Sequence, residues 1–374
     1  MAISRRSLLA QLAGGVAGTA LAPEILRGAA PGLREHTGAP IRLDRNESAY
    51  GPSAHAVAAI REAAAEAALY PAAGNELVEA LGEHHRVNAK QVVLGCGSTE
   101  VLAMAAAAFL GPGKKLILGA PTLGLMRQFG AARGAEIVQV PLRKNHAHDL
   151  NATFERAKNG SGLIYICNPN NPTGTLTERK DLEEFLENVP ESFHVAIDEA
   201  YHHYAGSSGA YASFLDQLSR NPRVIVVRTF STVYGLAGLR VGYGIAQESV
   251  AEQLRNAALP SGVSRVGLAA ALAALRDQQH VKRCAQQNAN DRQEFMNQVN
   301  GRMLRTLDSH ANFICLNTTK PSQEIVAYFQ KNGIVIAPPI PELPTYIRVT
   351  LGTPKQMAEF WRVWDPLDIH PMSM

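Results

Sequence analysis

Four short segments of this chain gather residue types that suit charged or aromatic ligands, and each follows a β-rich run. The first is Gly95-Cys96-Gly97-Ser98-Thr99-Glu100. Small residues let the backbone approach a ligand, the free amides of a helix start attract an anion, and Ser98 and Thr99 add hydroxyl donors. Taken alone, the same residues also read as a plain helix cap. The second is Asn168-Pro169-Asn170-Asn171-Pro172-Thr173-Gly174. Its prolines fix a turn, and Asn171 is held extended before Pro172. The third is Asp198-Glu199-Ala200-Tyr201. A carboxylate at a strand end beside a phenol can hold a protonated heterocycle; a surface Asp in a turn is the other reading. The fourth runs from Arg228 through Ser231, Thr232, Gly235, Gly238 and Arg240 to Tyr243, too glycine-rich for an ordinary helix. No metal-ligand cluster or nucleophile-elbow motif is present, so neither a metal enzyme nor a serine hydrolase is indicated. Cys96, Cys167, Cys284 and Cys315 lie far apart, which argues against structural zinc and predicts four buried thiols, although spacing alone leaves a disulfide open.

Such segments need elements to position them. Strands are predicted near 91–94, 115–118, 136–140, 163–166, 194–197, 224–227 and 241–244, and helices at 53–69, 100–110 and 178–188. The alternation indicates an α/β protein with a mostly parallel sheet buried on both faces. In such sheets ligands sit beyond the C-terminal strand ends, where the four segments fall. Beyond about residue 255 helical stretches at 266–279 and 286–299 precede strand candidates at 313–316, 334–336 and 346–351, which suggests a smaller α+β domain. The predicted division is a leader at 1–30, an arm and helix at 31–65, a large domain at 66–255 and a small C-terminal domain at 256–374.

The 374 residues are 46% hydrophobic and 18% charged, enough for a sizeable core and unlike a disordered chain. Thirty-six basic residues against 33 acidic ones give no reason to expect a nucleic acid partner. Ser4-Arg5-Arg6-Ser7-Leu8-Leu9, followed by an apolar stretch of small residues to Ala22, reads as a secretory signal too short to span a bilayer. Its paired arginines resemble a twin-arginine signal, implying export to the periplasm; a basic tail on a cytoplasmic enzyme is the alternative. No later stretch is apolar for long enough to span a membrane.

In order, these segments resemble fold-type-I pyridoxal-phosphate (PLP) aminotransferases, most closely the histidinol-phosphate aminotransferase family. The resemblance runs from Asn46-Glu47 and Tyr50-Gly51-Pro52-Ser53 through Arg348-Val349-Thr350-Leu351-Gly352-Thr353. It implies a seven-stranded, mostly parallel sheet flanked by helices. It also implies a role for each segment. Asp198 pairs with the protonated pyridine nitrogen, while Asn171 and Tyr201 meet the ring's phenolic oxygen. Gly97, Ser98, Thr99, Ser231 and Arg240 cradle the phosphate. Tyr70 reaches the phosphate of a partner subunit, hence a homodimer. Arg348 grips the carboxylate of an amino acid that exchanges its amino group with a 2-oxo acid, beside Asn46 and Tyr50.

Three positions depart from the family pattern. Thr232, eight residues before Arg240, stands where the family keeps its Schiff-base lysine, and no lysine lies between Lys180 and Lys282. A threonine hydroxyl forms no imine and is a poor base, although Tyr201 is a candidate substitute. Loss of general acid–base catalysis alone costs ~10²–10⁴-fold. PLP is therefore expected to bind without a covalent bond to the protein, or as a Schiff base (external aldimine) with a free amino acid, with severely impaired turnover. An exported, non-catalytic PLP or amino-acid binding protein is the alternative, and an introduced Lys→Thr change in a working enzyme also explains Thr232. Leu123 stands where an aromatic ring stacks on the cofactor, and Ala337 where many members place a second arginine, which argues against a phosphorylated substrate.

Overall fold

The computed structural model describes residues 39–71, 74–206, 208–259, 262–367 and 369. The expected twin-arginine leader and the expected arm up to residue 38 lie outside the described residues. The first element, β1 (Ile41–Leu43), is followed by the helix Ala54–Ala64. Ser53 caps that helix by accepting from the Ala56 amide at 3.1 Å. The helix ends before Leu69, the expected limit, and gives way to turns.

Seven strands then form one sheet: β2 (Val92–Cys96), β3 (Lys115–Ala120), β4 (Glu136–Pro141), β5 (Gly162–Cys167), β6 (Phe193–Asp198), β7 (Val224–Thr229) and β8 (Val241–Ile245). Their spatial order is β2-β8-β7-β6-β5-β3-β4. Only β8 is reversed, antiparallel to both β2 and β7. The glycine-rich segment 230–240 explains this, because it turns straight back along β7 without an intervening α-helix. The central strands β5 and β7 are buried along their whole length, whereas the edge strand β4 has a single buried residue.

The C-terminal part is built from β9 (Arg305–Thr306), β10 (Phe313–Asn317), β11 (Ile334–Ile336) and β12 (Tyr346–Thr350). Strands β12, β10 and β9 make a three-stranded antiparallel sheet. β11 pairs in parallel with β1 instead, Ile41 opposite Ile334. Ile41–Leu43, inside the stretch expected as arm and helix, is therefore a strand; three residues carry too little local signal to announce it. A second core collects here around Leu43, Phe295, Phe329, Phe360, Trp361 and Trp364, apart from the core that wraps the seven-stranded sheet.

Two other expectations change. Residues 278–301 form one continuous helix of 24 residues, not a helix beginning near 286. Its buried stripe passes through Asn288 and Asp291, and these polar positions conceal the apolar period. All four cysteines are free thiols, but Cys96 is exposed while the other three are buried. Cys96 ends β2 at the ligand-facing edge of the sheet, where the chain leaves the core.

Candidate active site

Asp198 is the last residue of β6 and only 2% exposed. Its two oxygens accept from the Tyr165 hydroxyl at 2.9 Å and from the Ala200 amide at 3.1 Å. No cation reaches it among the described residues. Burial pushes its carboxyl up to about 6, against the pull of those two hydrogen bonds. A surface turn is thereby excluded: this is a buried acid with no counter-charge.

Tyr201 lies three residues on. Its phenol oxygen accepts from Asn46 Nδ2 at 2.9 Å and from Asn171 Nδ2 at 3.0 Å. Both lone pairs are thus engaged, and the hydroxyl proton has no acceptor among the described residues. Burial raises the phenol well above its ordinary range. Asn171 Oδ1 accepts from Arg348 Nη1 at 2.6 Å, and Arg348 Nη2 donates to the Asp44 carbonyl at 2.8 Å. Arg348 Nε is buried and without a partner among the described residues. Asn46 has a left-handed backbone (φ 57°) and is fixed by Thr350 Oγ1, which accepts from its amide at 2.9 Å, and by Asn312, whose side chain donates to its carbonyl at 2.9 Å. Residues 155 and 177 positions apart therefore share one hydrogen-bonded cluster.

A second cluster joins the first and fourth segments. The helix Ser98–Phe109 starts immediately after Gly97, which has φ 76°. A Cβ at Gly97 would run into the Arg240 guanidinium, and one at Gly242 into the Ser98 amide. Arg240 donates to Ser231 Oγ at 3.2 Å and has no carboxylate partner among the described residues. Amides at a helix start, the hydroxyls of Ser98, Thr99 and Ser231, and a guanidinium with no carboxylate partner among the described residues form a donor-rich set that suits a phosphate. Both clusters thus fit PLP: an anion cradle, a buried acid for a ring cation and a phenol proton for a ring oxygen.

Thr232 sits between them, 5% exposed, with its hydroxyl donating to the Ala200 carbonyl at 2.9 Å. Beside Asn171 and Arg348 opens a cleft of about 340 Å³ walled by Leu123, Ala337, Pro339 and Ile340. Among the described residues no group of three or more His, Cys, Asp or Glu is arranged for a metal.

Residues 39–363 match the family described as aminotransferase class I and II. The chain belongs to this aminotransferase family. It is 36% identical over 321 residues to histidinol-phosphate aminotransferase of Bacillus velezensis, covering 85% of this chain and 89% of that protein. It is 35% identical to the Bacillus subtilis enzyme over 321 residues, with the same coverage of 85% and 89%. Histidinol-phosphate aminotransferase from Sinorhizobium meliloti, solved in complex with pyridoxal-5'-phosphate, superposes with a TM-score of 0.80 at 28% identity over 86% of this chain and 88% of that one. The fold is fold type I of the PLP-dependent aminotransferases.

Two expected site residues stand outside the hydrogen-bonded clusters. Tyr70 is 84% exposed. Tyr50 donates to Asp291 and lines a different cavity with His280 and Cys284, although its neighbour Gly51 packs on Gly235. Conversely, Tyr165, Asp44, Asn312 and Thr350 support the site and were not expected to. Tyr165 has one readable sign: it lies two residues before Cys167, which is opposite Asp198 in register, so it shares that face of the sheet.

Proposed function

We propose that this chain holds PLP in these two clusters and binds an amino acid and a 2-oxo acid beside it, as an aminotransferase whose turnover Thr232 severely reduces. The observation that carries the cofactor reading is the Tyr201 phenol, with both lone pairs engaged and its proton free, beside the counter-charge-free Asp198. When bound, PLP supplies an electrophilic carbonyl and an electron-withdrawing ring. Asp198 then holds a proton on the ring nitrogen, which gives its buried charge a partner. Tyr201 donates to the ring oxygen, with Asn171 orienting the phenol. The amides and hydroxyls of Ser98 and Thr99, with Ser231 and Arg240, hold the phosphate, and Leu123 covers the ring. Arg348, already oriented by Asn171 and Asp44, takes the substrate carboxylate.

A lysine in place of Thr232 would supply an amine nucleophile and a carrier for the substrate proton. The threonine hydroxyl supplies neither, and it is already committed to the Ala200 carbonyl. That commitment supports a second reading, a binding protein on an aminotransferase scaffold. Ala337, in the cleft wall, offers no guanidinium, which weakens the case for a phosphorylated substrate, although Arg127 lines the same cleft. The assembly we propose is a homodimer in which Tyr70 reaches the partner's phosphate, and the twin-arginine leader directs the folded protein to the periplasm.

The test is an absorbance titration of the purified protein with PLP, with and without amino acids, alongside a transamination assay of Thr232→Lys. We expect PLP uptake by the wild-type chain and restored transamination in the variant, by at least the ~10²-fold associated with a positioned acid–base group. An inert Thr232→Lys that still takes up ligand leaves the binding reading; absence of PLP uptake by either form refutes both.

A further inference from the structure

The geometry points to Thr232 as a positioning residue, which acts through the Ala200 carbonyl to hold the ring clamp in register. The inference rests on the cofactor reading above for its consequence, but its structural core stands apart from it. The hydrogen-bond ladder between β6 and β7 reaches its last backbone rung at the Glu199 amide, which donates to the Val227 carbonyl at 2.8 Å. Ala200 is the next residue, outside that ladder. Its amide donates to Asp198 Oδ1 at 3.1 Å, and its carbonyl accepts from Thr232 Oγ1 at 2.9 Å. Ala200 thus lies between the two clamp residues, Asp198 and Tyr201, and Thr232 adds a side-chain rung to the ladder at that point.

Threonine suits this task. Its β-branch restricts χ1, which narrows the orientations open to the hydroxyl. At 5% exposure, water competes poorly for the bond. The segment carrying Thr232 is itself fixed, because the Gly235 amide donates to the Thr232 carbonyl at 3.0 Å and Gly235 packs against Gly51. A lysine side chain lacks this hydroxyl. Thr232 therefore ties the pocket in which a non-covalent ligand must be held to the end of the β6–β7 ladder.

Thr232→Val removes the hydroxyl and keeps the shape; Thr232→Ser keeps the hydroxyl. We expect Thr232→Val to weaken PLP binding about five- to tenfold, the loss of roughly one net hydrogen bond, and Thr232→Ser to restore most of it. The pH at which bound PLP changes its absorbance should move in Thr232→Val and return in Thr232→Ser, since that spectrum reports the Asp198 and Tyr201 contacts. Asn88→Ala, which removes an exposed cap on the turn Ala89–Gln91, is the control for general destabilisation and should leave the titration in place. Equal affinity and an identical titration in the valine variant would overturn the inference. If the wild-type chain takes up no PLP, the cofactor reading fails, and amide hydrogen exchange across 199–204 of the ligand-free protein decides this one. Faster exchange in Thr232→Val than in Thr232→Ser upholds the tie, and equal exchange removes it.

Discussion

Asp198 and Glu199 are adjacent buried acids at the end of one strand, yet their surroundings differ in kind. Glu199 is fully buried and accepts from Arg228 Nε at 3.1 Å and Nη2 at 2.8 Å, from Ser213 Oγ at 2.8 Å and from the Phe214 amide at 2.7 Å. Asp198 has only a phenol and one amide, both neutral. Successive residues of a strand point to opposite faces, so one carboxylate is turned into the scaffold and its neighbour toward the site. The closed pair is complete without any ligand. The open acid is destabilised at neutral pH until a cation joins it. A buried carboxylate with four donors and a counter-charge is structural; one with neutral donors only is available for binding.

The largest expected effect lies on the closed side. Glu199→Gln leaves the Arg228 charge buried and unpaired, and should cost about 3–5 kcal/mol in urea unfolding. The double variant Glu199→Gln with Arg228→Gln should lose less than the single one; an equal or greater loss would show that the pair is not the reason for the difference.

Next comes the open side, where the sign reverses. Asp198 is pushed up to about 6, from an ordinary value of 3.8. Its protonated form is therefore favoured in the folded state, and the stability tied to that proton is lost as pH rises through about 6. Asp198→Asn should then make the ligand-free protein more stable at pH 8, by roughly 2–3 kcal/mol at most. The advantage should shrink between pH 6 and 4, while the variant loses its hold on PLP. Unfolding midpoints at pH 4, 6 and 8, with a PLP titration at pH 8, measure both. A variant less stable at pH 8 than the parent would break the contrast.

The smallest effect tests the phenol behind Asp198. Tyr165→Phe removes a donor to the carboxylate and should cost about 1–2 kcal/mol at pH 8, where the acid is ionised, and less at pH 4. The difference in unfolding free energy between the two pH values is the readout. A cost independent of pH would mean that Tyr165 contributes packing alone.

Much of this was legible in the residues. The strands of the large sheet, the glycine-rich helix start at Gly97 and the carboxylate–phenol pair Asp198 and Tyr201 all lie within short windows, where local period and turn chemistry decide the outcome. The polar stripe of the helix 278–301 and the three-residue strand at Ile41 were hidden, because their partners are distant and their local signals weak. Asn46, expected near the substrate, donates to the Tyr201 phenol in the cluster that also holds Arg348, a link no local window displays.

By itself, the sequence determined the α/β class and the order of its strands along the chain, which follow from hydrophobic periodicity. The fold type and the candidate site residues came from its resemblance to fold-type-I aminotransferases, carried by motifs that span a few residues each. Tertiary structure alone decided that β8 runs backwards, that Asn46, Asn171, Tyr201 and Arg348 share one network, and that Glu199 is closed by Arg228 while Asp198 is left open. It also decided that the Thr232 hydroxyl is spent on a backbone carbonyl 32 residues away. Such facts depend on which distant groups a packed core brings within 3 Å, and no local window of the chain contains both partners.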